Sequence, residues 1–401
     1  MDLNIRPLLS ALRRSPTGAL LVALQVSITL AVLVNAAWIV QQRIARIMQP
    51  TGLDTRDTFV MAVSGSSRRF DMAAAETEDL AYLRALPGVV AATVTDGEPL
   101  TGNGGDTALW RHPGQRGRVV GTAEISTDSD GLKALGVPLI AGRNFRPDDI
   151  QPFTPGKQTP VSEIIVTQSL AHALFPHGDA LGKTVYGSTP RTIIGITRNF
   201  MGPQLGAPVY NTVIYPMMAG QYGGYRLLVR TQPGRRAAVL RVARRHIAAS
   251  HRYGVVQYAK TLTQDKQERD SGNRNVAILL AIVTTLMLAT CCLGIFGLTT
   301  FNVGSRTRQI GTHRALGARR RDIVSRFLVE NALILAAGAL LGSALALLIS
   351  DWLTSFYALP RLNVAYLLAG IVALAAVGEL AAWQPARRAA RVPPSVATRT
   401  V

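Results

Sequence analysis

Residues 178–184 read Gly-Asp-Ala-Leu-Gly-Lys-Thr, close to the spacing of a loop that cradles phosphates. Such a loop puts four residues between its glycines, so that backbone N–H groups surround the phosphate while Lys and Ser/Thr reach the outer phosphates and Mg²⁺. Here only three residues separate Gly178 from Gly182. The flanks are also reversed. A phosphate loop follows a strand and opens a helix, whose N-terminus faces the anion. In this chain the helical pattern "SLAHALF" comes before and the strand-like "TVYG" after. Gly178 and Gly182 therefore read as turn residues, and Lys183 as a surface charge.

Other chemistry-bearing patterns are missing from the sequence. It contains no HExxH and no GxSxG. His112, His172, His177, His246, His251 and His313 are scattered without metal-ligand spacing. The two cysteines, Cys291 and Cys292, are adjacent inside an apolar run, so they neither staple a loop nor form a zinc cluster. The expectation is a chain with no catalytic residue, no metal site and no cofactor of its own.

The elements that would carry any site come next. The chain has 401 residues, is 48% hydrophobic and has a formal net charge of +19. That combination fits a membrane protein with Lys and Arg concentrated in its loops. A nucleic-acid partner is not expected, because the basic clusters flank apolar runs and aromatics are sparse. Four runs reach the roughly 20 residues needed to cross a bilayer: Ser15 to Gln42, Asn275 to Ser305, Asn331 to Ser350, and Leu362 to Gly378 with an extension to Trp383. The first has a basic start and a cleavage-like Val34-Asn35-Ala36. Its apolar character continues through Val40, which reads as a retained anchor rather than a cleaved signal.

Arginines set the expected orientation. Arg6, Arg13 and Arg14 precede the first run. Arg306, Arg308, Arg314, Arg319, Arg320 and Arg321 lie between the second and third, and Arg387, Arg388, Arg391 and Arg399 follow the fourth. The loop between runs three and four has only Asp351 and Arg361. Both termini and the 302–326 loop are thus expected in the cytoplasm, with Arg43 and Arg46 outvoted. The insert between runs one and two, residues 49–274, falls outside. Its alternation of helical and strand patterns predicts an α+β domain, with "AETEDLAYLRA" and "RRAAVLRVARRHIAAS" as helices and "EIIVT", "RTIIGIT" and "YRLLVRT" as strands. Gly/Pro-rich joints at 102–105 and 202–208 divide it into a subdomain of 49–112 with 206–274 and an inserted one of 113–205. The remaining segments are 1–48 (cytoplasmic start and first span), 275–304 (second), 305–321 (elbow), 322–350 (third), 351–361 (external loop), 362–384 (fourth) and 385–401 (cytoplasmic tail).

"SRTRQIGTHRALGARRRDIVSRFLVE", Ser305 to Glu330, carries the densest information. Arg306 to Leu316 predicts a short helix, with Gly317 in the left-handed position that ends it. A new helix then begins, with Ile323/Phe327 and Val324/Leu328 paired at i,i+4. The result is a basic elbow braced between two membrane helices. It could receive a push from a partner or simply anchor to anionic lipid. Glu330 and Glu379 lie near the cytoplasmic ends of runs three and four, at depths where they reach the interface. They read as structural acids, with Arg326 one turn from Glu330.

The elbow resembles the permease motif of the MacB/FtsX superfamily of ABC transporters, roughly R-x-x-E-I-G-x-R-R-A-L-G-A followed by F-L-x-E. Arg306, Ile310, Gly311, Arg314, Ala315, Leu316, Gly317, Ala318 and Phe327-Leu328-x-Glu330 match. Gln309 stands where the family has Glu, and His313 where Arg is common. "ALRRSPTGALLVAL", "LGVPLIAGRNF", "VTQSLAHALFPHGDALGKTV", "RTIIGITRNF" and "QPARRAARVPPSVATR" extend the resemblance along nearly the whole chain. It implies four transmembrane helices, a large extracytoplasmic domain between the first two, and a cytoplasmic (inner) membrane location. It also implies a partner ABC ATPase, two copies per complex, which binds ATP and Mg²⁺ and sits on the elbow. Arg306, Arg308, Gln309, Ile310, Gly311, His313, Arg314, Ala315, Leu316, Gly317 and Ala318 would form that contact. The helices would act as a lever (mechanotransmission), exporting or extracting a peptide, antibiotic or lipid-like substrate from the outer face. A second permease, identical or related, completes the complex; the two departures favour a related one. A membrane-fusion adaptor and an outer-membrane channel are further partners of such systems. Lipoprotein extraction and control of an external hydrolase are the alternative roles. A membrane-anchored external enzyme would need chemistry that the insert lacks.

Overall fold

A computed structural model describes residues 16–114, 119–152, 161–204, 208–218, 224–357 and 361–391. Arg6, Arg13, Arg14 and Arg399 lie outside the described residues. The chain divides into two compact units, residues 1–48 with 273–401, and residues 49–272.

The first unit is helical. Helix α1 spans Pro16–Met48. Of α6, which spans Leu262–Ser305, residues 273–305 belong to this unit; α7 spans Thr307–Ala315, α8 Arg320–Tyr357 and α9 Val364–Ala389. All but α7 are long and apolar enough to cross a membrane. Two expected boundaries move. Helix α6 begins thirteen residues before Asn275, because residues such as Gln264, Lys266, Gln267 and Glu268 are good helix formers. Charge bars that stretch from the bilayer core, not from a helix. Residues 351–357, expected as external loop, continue α8.

Small residues set the packing of this unit. Gly338, Gly342 and Ala346 fall on one face of α8 at four-residue spacing and lie against α1. A Cβ on Gly338 would come within 2.6 Å of Val26 and 2.8 Å of the Ala23 carbonyl; one on Gly342 would lie 2.8 Å from the Ser27 carbonyl. Close backbone approach of this kind drives helix association where lipid supplies no hydrophobic force. The buried Asn35 adds a bond across the same seam, its amide donating to the Ala346 carbonyl at 3.1 Å. Val22, Val26 and Leu30 of α1 complete a core with Cys291 and Ile295 of α6, Ile334 and Leu335 of α8, and Leu374 and Ala382 of α9.

The second unit contains two sheets. The first runs β11-β1-β10-β2, all antiparallel, from Gly254–Thr261, Thr58–Gly65, Gly224–Thr231 and Val89–Thr95. Strand β1 is buried on both faces over residues 58–63 and β2 over residues 91–95, which explains their near-continuous apolar sequences, whereas the edge strand β11 keeps Val255 43% exposed. Phe59, Met61 and Val63 of β1, with Leu227 and Val229 of β10, face helices α2 (Met72–Ala85) and α5 (Arg236–Ser250). Val60, Ala91 and Leu228 point the other way, as period-two alternation requires.

The second sheet is mixed, ordered β3-β4-β9-β6-β8-β5, with β7 paired to β8. Its ranges are Asp106–Leu109 (β3), Val120–Thr127 (β4), Leu139–Gly142 (β5), Glu163–Thr167 (β6), Thr184–Tyr186 (β7), Pro190–Thr197 (β8) and Thr212–Pro216 (β9). Helix α4 (Gln168–Leu174) covers one face. The other packs Ile125, Ile165 and Ile214 against Val60 and Leu228 of the first sheet, with α3 (Gly131–Leu135) beside them. The two sheets therefore share a central core.

The expected subdomain boundaries at 112/113 and 205/206 do not match this arrangement. Strands β3 and β9 both belong to the second sheet, so it draws on residues 106–216. The Gly/Pro stretch near 202 is not a return joint. It packs beside the 97–105 loop, where Gly102 N–H donates to the Pro203 carbonyl at 2.8 Å and Leu100 N–H to the Gly202 carbonyl at 3.3 Å. Glycine marks a close approach there, and in sequence that looks the same as a hinge.

The 178–184 loop lies between α4 and β7. Gly178 and Gly182 have φ of +84° and +76°. Gly182 N–H donates to the Ile193 carbonyl at 2.8 Å and Lys183 N–H to the Ala180 carbonyl at 3.2 Å, so these amides are engaged within the fold.

Glu124 on β4 supplies a pH prediction. Burial, then the nearby Asp96 and Asp106 charges, push its carboxyl up to about 7 from 4.5, against the pull of Arg191. The folded state thus binds more protons than the unfolded state between pH 4.5 and 7. Stability is higher at the acid end and falls as pH rises through that window. Glu124→Gln should flatten this slope, raising stability at pH 8 relative to wild type by on the order of 2 kcal/mol and leaving pH 4.5 almost unchanged. Thermal unfolding of the chain at the two pH values measures it; parallel slopes would count against a raised carboxyl.

Candidate functional site: the elbow between α6 and α8

The elbow begins where α6 ends at Ser305. Arg306 caps α7 with a non-helical backbone, and its guanidinium pairs with the Glu330 carboxylate at 2.9 Å. Glu330 is only 4% exposed, on α8 three turns beyond its start. Arg326, the partner that helical spacing offered, is not the one used: the ion pair comes from across the elbow.

The far end of α7 closes with two bonds. Gly317 takes φ +97°, its N–H donates to the Arg314 carbonyl at 3.1 Å, and Ala318 N–H donates to the His313 carbonyl at 3.0 Å. This pair of bonds around a left-handed glycine satisfies carbonyls that a helix end would leave orphaned. Helix α8 then starts under a side-chain cap, with Arg319 N–H donating to Asp322 at 2.9 Å.

A small core holds the elbow from beneath. Ile310 of α7 packs with Ile323 and Phe327 of α8 and with Ala386, Ala389 and Ala390 at the end of α9. Arg314 adds a bond to the Ala390 carbonyl at 3.0 Å. Helices α8 and α9 thus fix a nine-residue helix that would be marginal alone. The sequence pointed to Ile310, Ile323 and Phe327. It gave no sign of the α9 alanines, because alanine makes no apolar stripe.

The candidate residues divide by exposure. Ile310 and Gly311 are buried; Arg306, Arg314 and Ala318 are half-buried and tied into the brace. Arg308, Gln309, His313, Ala315, Leu316 and Gly317 are exposed, with Leu316 81% exposed. Arg319, Arg320 and Arg321 extend the exposed side. Gln309 and His313 line a cleft of about 140 Å³ that also touches Arg306, Arg326 and Glu330. Glu379 accepts a bond from Asn331 at 3.2 Å, and Asn331 also donates to the Gly378 carbonyl at 3.3 Å. Sequence reading missed Asn331 as the residue joining α8 to α9. Among the described residues no group of three or more His, Cys, Asp or Glu is placed to hold a metal ion. The elbow presents a basic, partly apolar surface, Arg308, Leu316 and Arg319–Arg321, on a helix packed against α8 and α9.

The sequence profile of the MacB-like periplasmic core domain matches residues 19–245, and that of the FtsX-like permease C-terminal region matches residues 281–394. The chain belongs to the MacB-like, FtsX-type permeases. As a MacB-like permease it carries its mixed α+β extracytoplasmic domain between the first transmembrane helix and the later ones, and it is an inner-membrane protein of the ABC transporter permease class. The macrolide export ATP-binding/permease protein MacB of Chromobacterium violaceum is 26% identical over 324 residues, covering 77% of this chain and 48% of that protein. A probable syringafactin export ATP-binding/permease protein, SyfD of Pseudomonas syringae pv. tomato, is 26% identical over 359 residues, covering 86% of this chain and 51% of its own. The MacB-like chain spans about half the length of the curated relatives it matches. The periplasmic region of MacB from Actinobacillus actinomycetemcomitans superposes with a TM-score of 0.34 at 13% identity, over 56% of this chain and 97% of that one.

Proposed function

We propose that this permease is the membrane lever of an ABC exporter. The elbow around Arg306–Gly317 receives the motion of a cytoplasmic ABC ATPase, a separate subunit present in two copies that binds ATP and Mg²⁺. Helices α6 and α8 carry that motion to the extracytoplasmic domain, which moves an amphiphilic peptide, antibiotic or lipid-like substrate away from the outer face. In this reading both termini and the elbow face the cytoplasm, as the arginine distribution favours. The relatives' printed roles in macrolide and syringafactin export support an export role over lipoprotein extraction or control of a hydrolase.

One observation carries the reading. Leu316 stands 81% exposed beside a run of exposed arginines, just past the end of a helix that α8 and α9 hold in place. Set among arginines, Leu316 offers a partner an apolar contact inside a charged rim, the usual layout of a protein interface. Gln309 and His313 are both exposed, so the family departures change the docking surface and not the brace. They favour a related, non-identical second permease. An adaptor and an outer-membrane duct complete the proposed assembly.

Leu316→Asp is expected to cut retention of the ATPase in co-purification at least tenfold, a loss of about 1.4 kcal/mol or more, while the chain remains monodisperse. Undiminished retention would overturn the proposal.

A further inference from the structure

Two carboxylates of the extracytoplasmic domain are buried without the partners that burial demands. Glu98 and Asp265 are each 1% exposed. Oε1 of Glu98 and both oxygens of Asp265 are enclosed and accept no hydrogen bond among the described residues. Glu98 has one donor, the Tyr258 hydroxyl on β11, at 2.6 Å from Oε2. The cations around them are engaged elsewhere. Lys260 pairs with Glu268 at 2.8 Å, and Arg226 donates to the Asp96 carbonyl at 2.9 Å. Arg269, one turn beyond Asp265, donates to Met201 Sδ at 2.7 Å.

The fold brings the two acids to one place. Asp265 lies in the first turn of α6, ahead of the apolar run that begins at Asn275. Among charged groups Glu98 acts on it most strongly, ahead of Lys260 and Glu268. Glu98 opens a loop that its own N–H closes by donating to the Asn103 carbonyl at 2.8 Å. Inside that loop the buried Leu100 takes φ +73°, a region that favours glycine, so the loop is held under strain. Burial pushes the Glu98 carboxyl above the usual carboxylate range, against the pull of the Tyr258 hydroxyl, Arg226 and Lys260. A proton on either carboxyl supplies the missing donor and removes one of two like charges.

We propose that Glu98 and Asp265 share one proton and form a latch that roots the first turn of α6 in the 98–103 loop. With the proton present, one carboxyl donates to the other and a single charge remains. When it leaves to solvent, two buried like charges face each other and the strained loop is pushed off α6. The latched state binds more protons than the open one. Latching is therefore firm in acid and weakens as pH rises above the usual carboxylate range. The medium outside the membrane supplies the proton, so external pH governs how firmly α6 is rooted. The inference rests on the extracytoplasmic placement of the domain and is independent of the coupling role of the elbow.

The test uses the full chain in nanodiscs. Hydrogen exchange of the Leu100 and Gly102 amides, which donate to the Gly202 and Pro203 carbonyls, is followed at pH 5 and pH 8 and corrected for the intrinsic exchange rate. Wild type should lose protection on the order of tenfold at pH 8. Asp265→Asn and Glu98→Gln each remove one of the two charges and should keep the pH 5 protection at pH 8. Glu98→Gln retains an acceptor for Tyr258 and carries the test where Asp265→Asn fails to fold. Glu124→Gln removes a different buried acid of the domain and should leave the tenfold loss in place. Protection independent of pH in wild type overturns the proposal. So does a tenfold loss that survives in either neutral variant or disappears in Glu124→Gln.

Discussion

Arg306→Ala is expected to destabilise the helical unit by about 3–5 kcal/mol, the usual consequence of leaving one member of a buried ion pair without its partner. Glu330 is 4% exposed and its carboxylate lies 2.9 Å from the guanidinium. Without Arg306 it must stay charged in a poor environment, take up a proton or drag water in, and each of these costs free energy. Replacing both residues, as in Arg306→Leu with Glu330→Met, should recover most of the loss, because apolar pairs of similar volume replace buried ion pairs at little cost. The two variants separate stability from mechanism. Thermal unfolding of the detergent-solubilised chain should fall sharply for the single variant and return for the double. ATP-driven transport should fail in both if the pair keeps α7 in register with α8, since an apolar pair packs without fixing direction. Recovery of transport in the double variant would reduce the pair to a stabilising contact. An unchanged melting temperature in Arg306→Ala would remove the pair from the account altogether.

The structure also shows which parts of this molecule a sequence can reveal. Membrane helices announce themselves because excluding charge over some 20 residues is a strong local constraint, and the four runs are the four long apolar helices. Their ends are less visible. The apolar criterion reports the bilayer, so it stops at Asn275 where α6 already began at Leu262, and at Ser350 where α8 continues to Tyr357. Gly317 was legible because a left-handed helix stop is encoded by one residue and its neighbours. The partner of Glu330 was not: spacing proposes Arg326 on the same helix, and only the fold brings Arg306 across the elbow. The tight face Gly338–Gly342–Ala346 was within reach, as small residues at four-residue spacing in an apolar run. The sheet boundaries were not, because Gly104 makes room for Pro203, Gly105 for Glu124 and Gly202 for Thr212, and a glycine cannot announce whether it bends the chain or makes room for a neighbour.

Gly317→Pro should have the largest effect on function of any single change at the elbow. The native φ is +97°, and proline is held near −65°. Proline also lacks the N–H that donates to the Arg314 carbonyl, and the shifted backbone displaces the bond from Ala318 to His313. Loss of the helix end costs about 3 kcal/mol locally. It also redirects Leu316 and Arg319–Arg321, whose positions follow from how α7 stops and α8 starts. If the elbow couples as proposed, transport driven by ATP hydrolysis should be lost, while the core around Val26 and Leu335, which does not include Gly317, stays folded. Gly317→Asn supplies the contrast. Asparagine tolerates the left-handed region and keeps the N–H, so most coupling should persist. The comparison decides between lever and anchor, because neither substitution changes any charge. A basic loop that merely binds anionic lipid has the same arginines in both variants and should behave alike in both. A lever depends on direction, and only proline changes that.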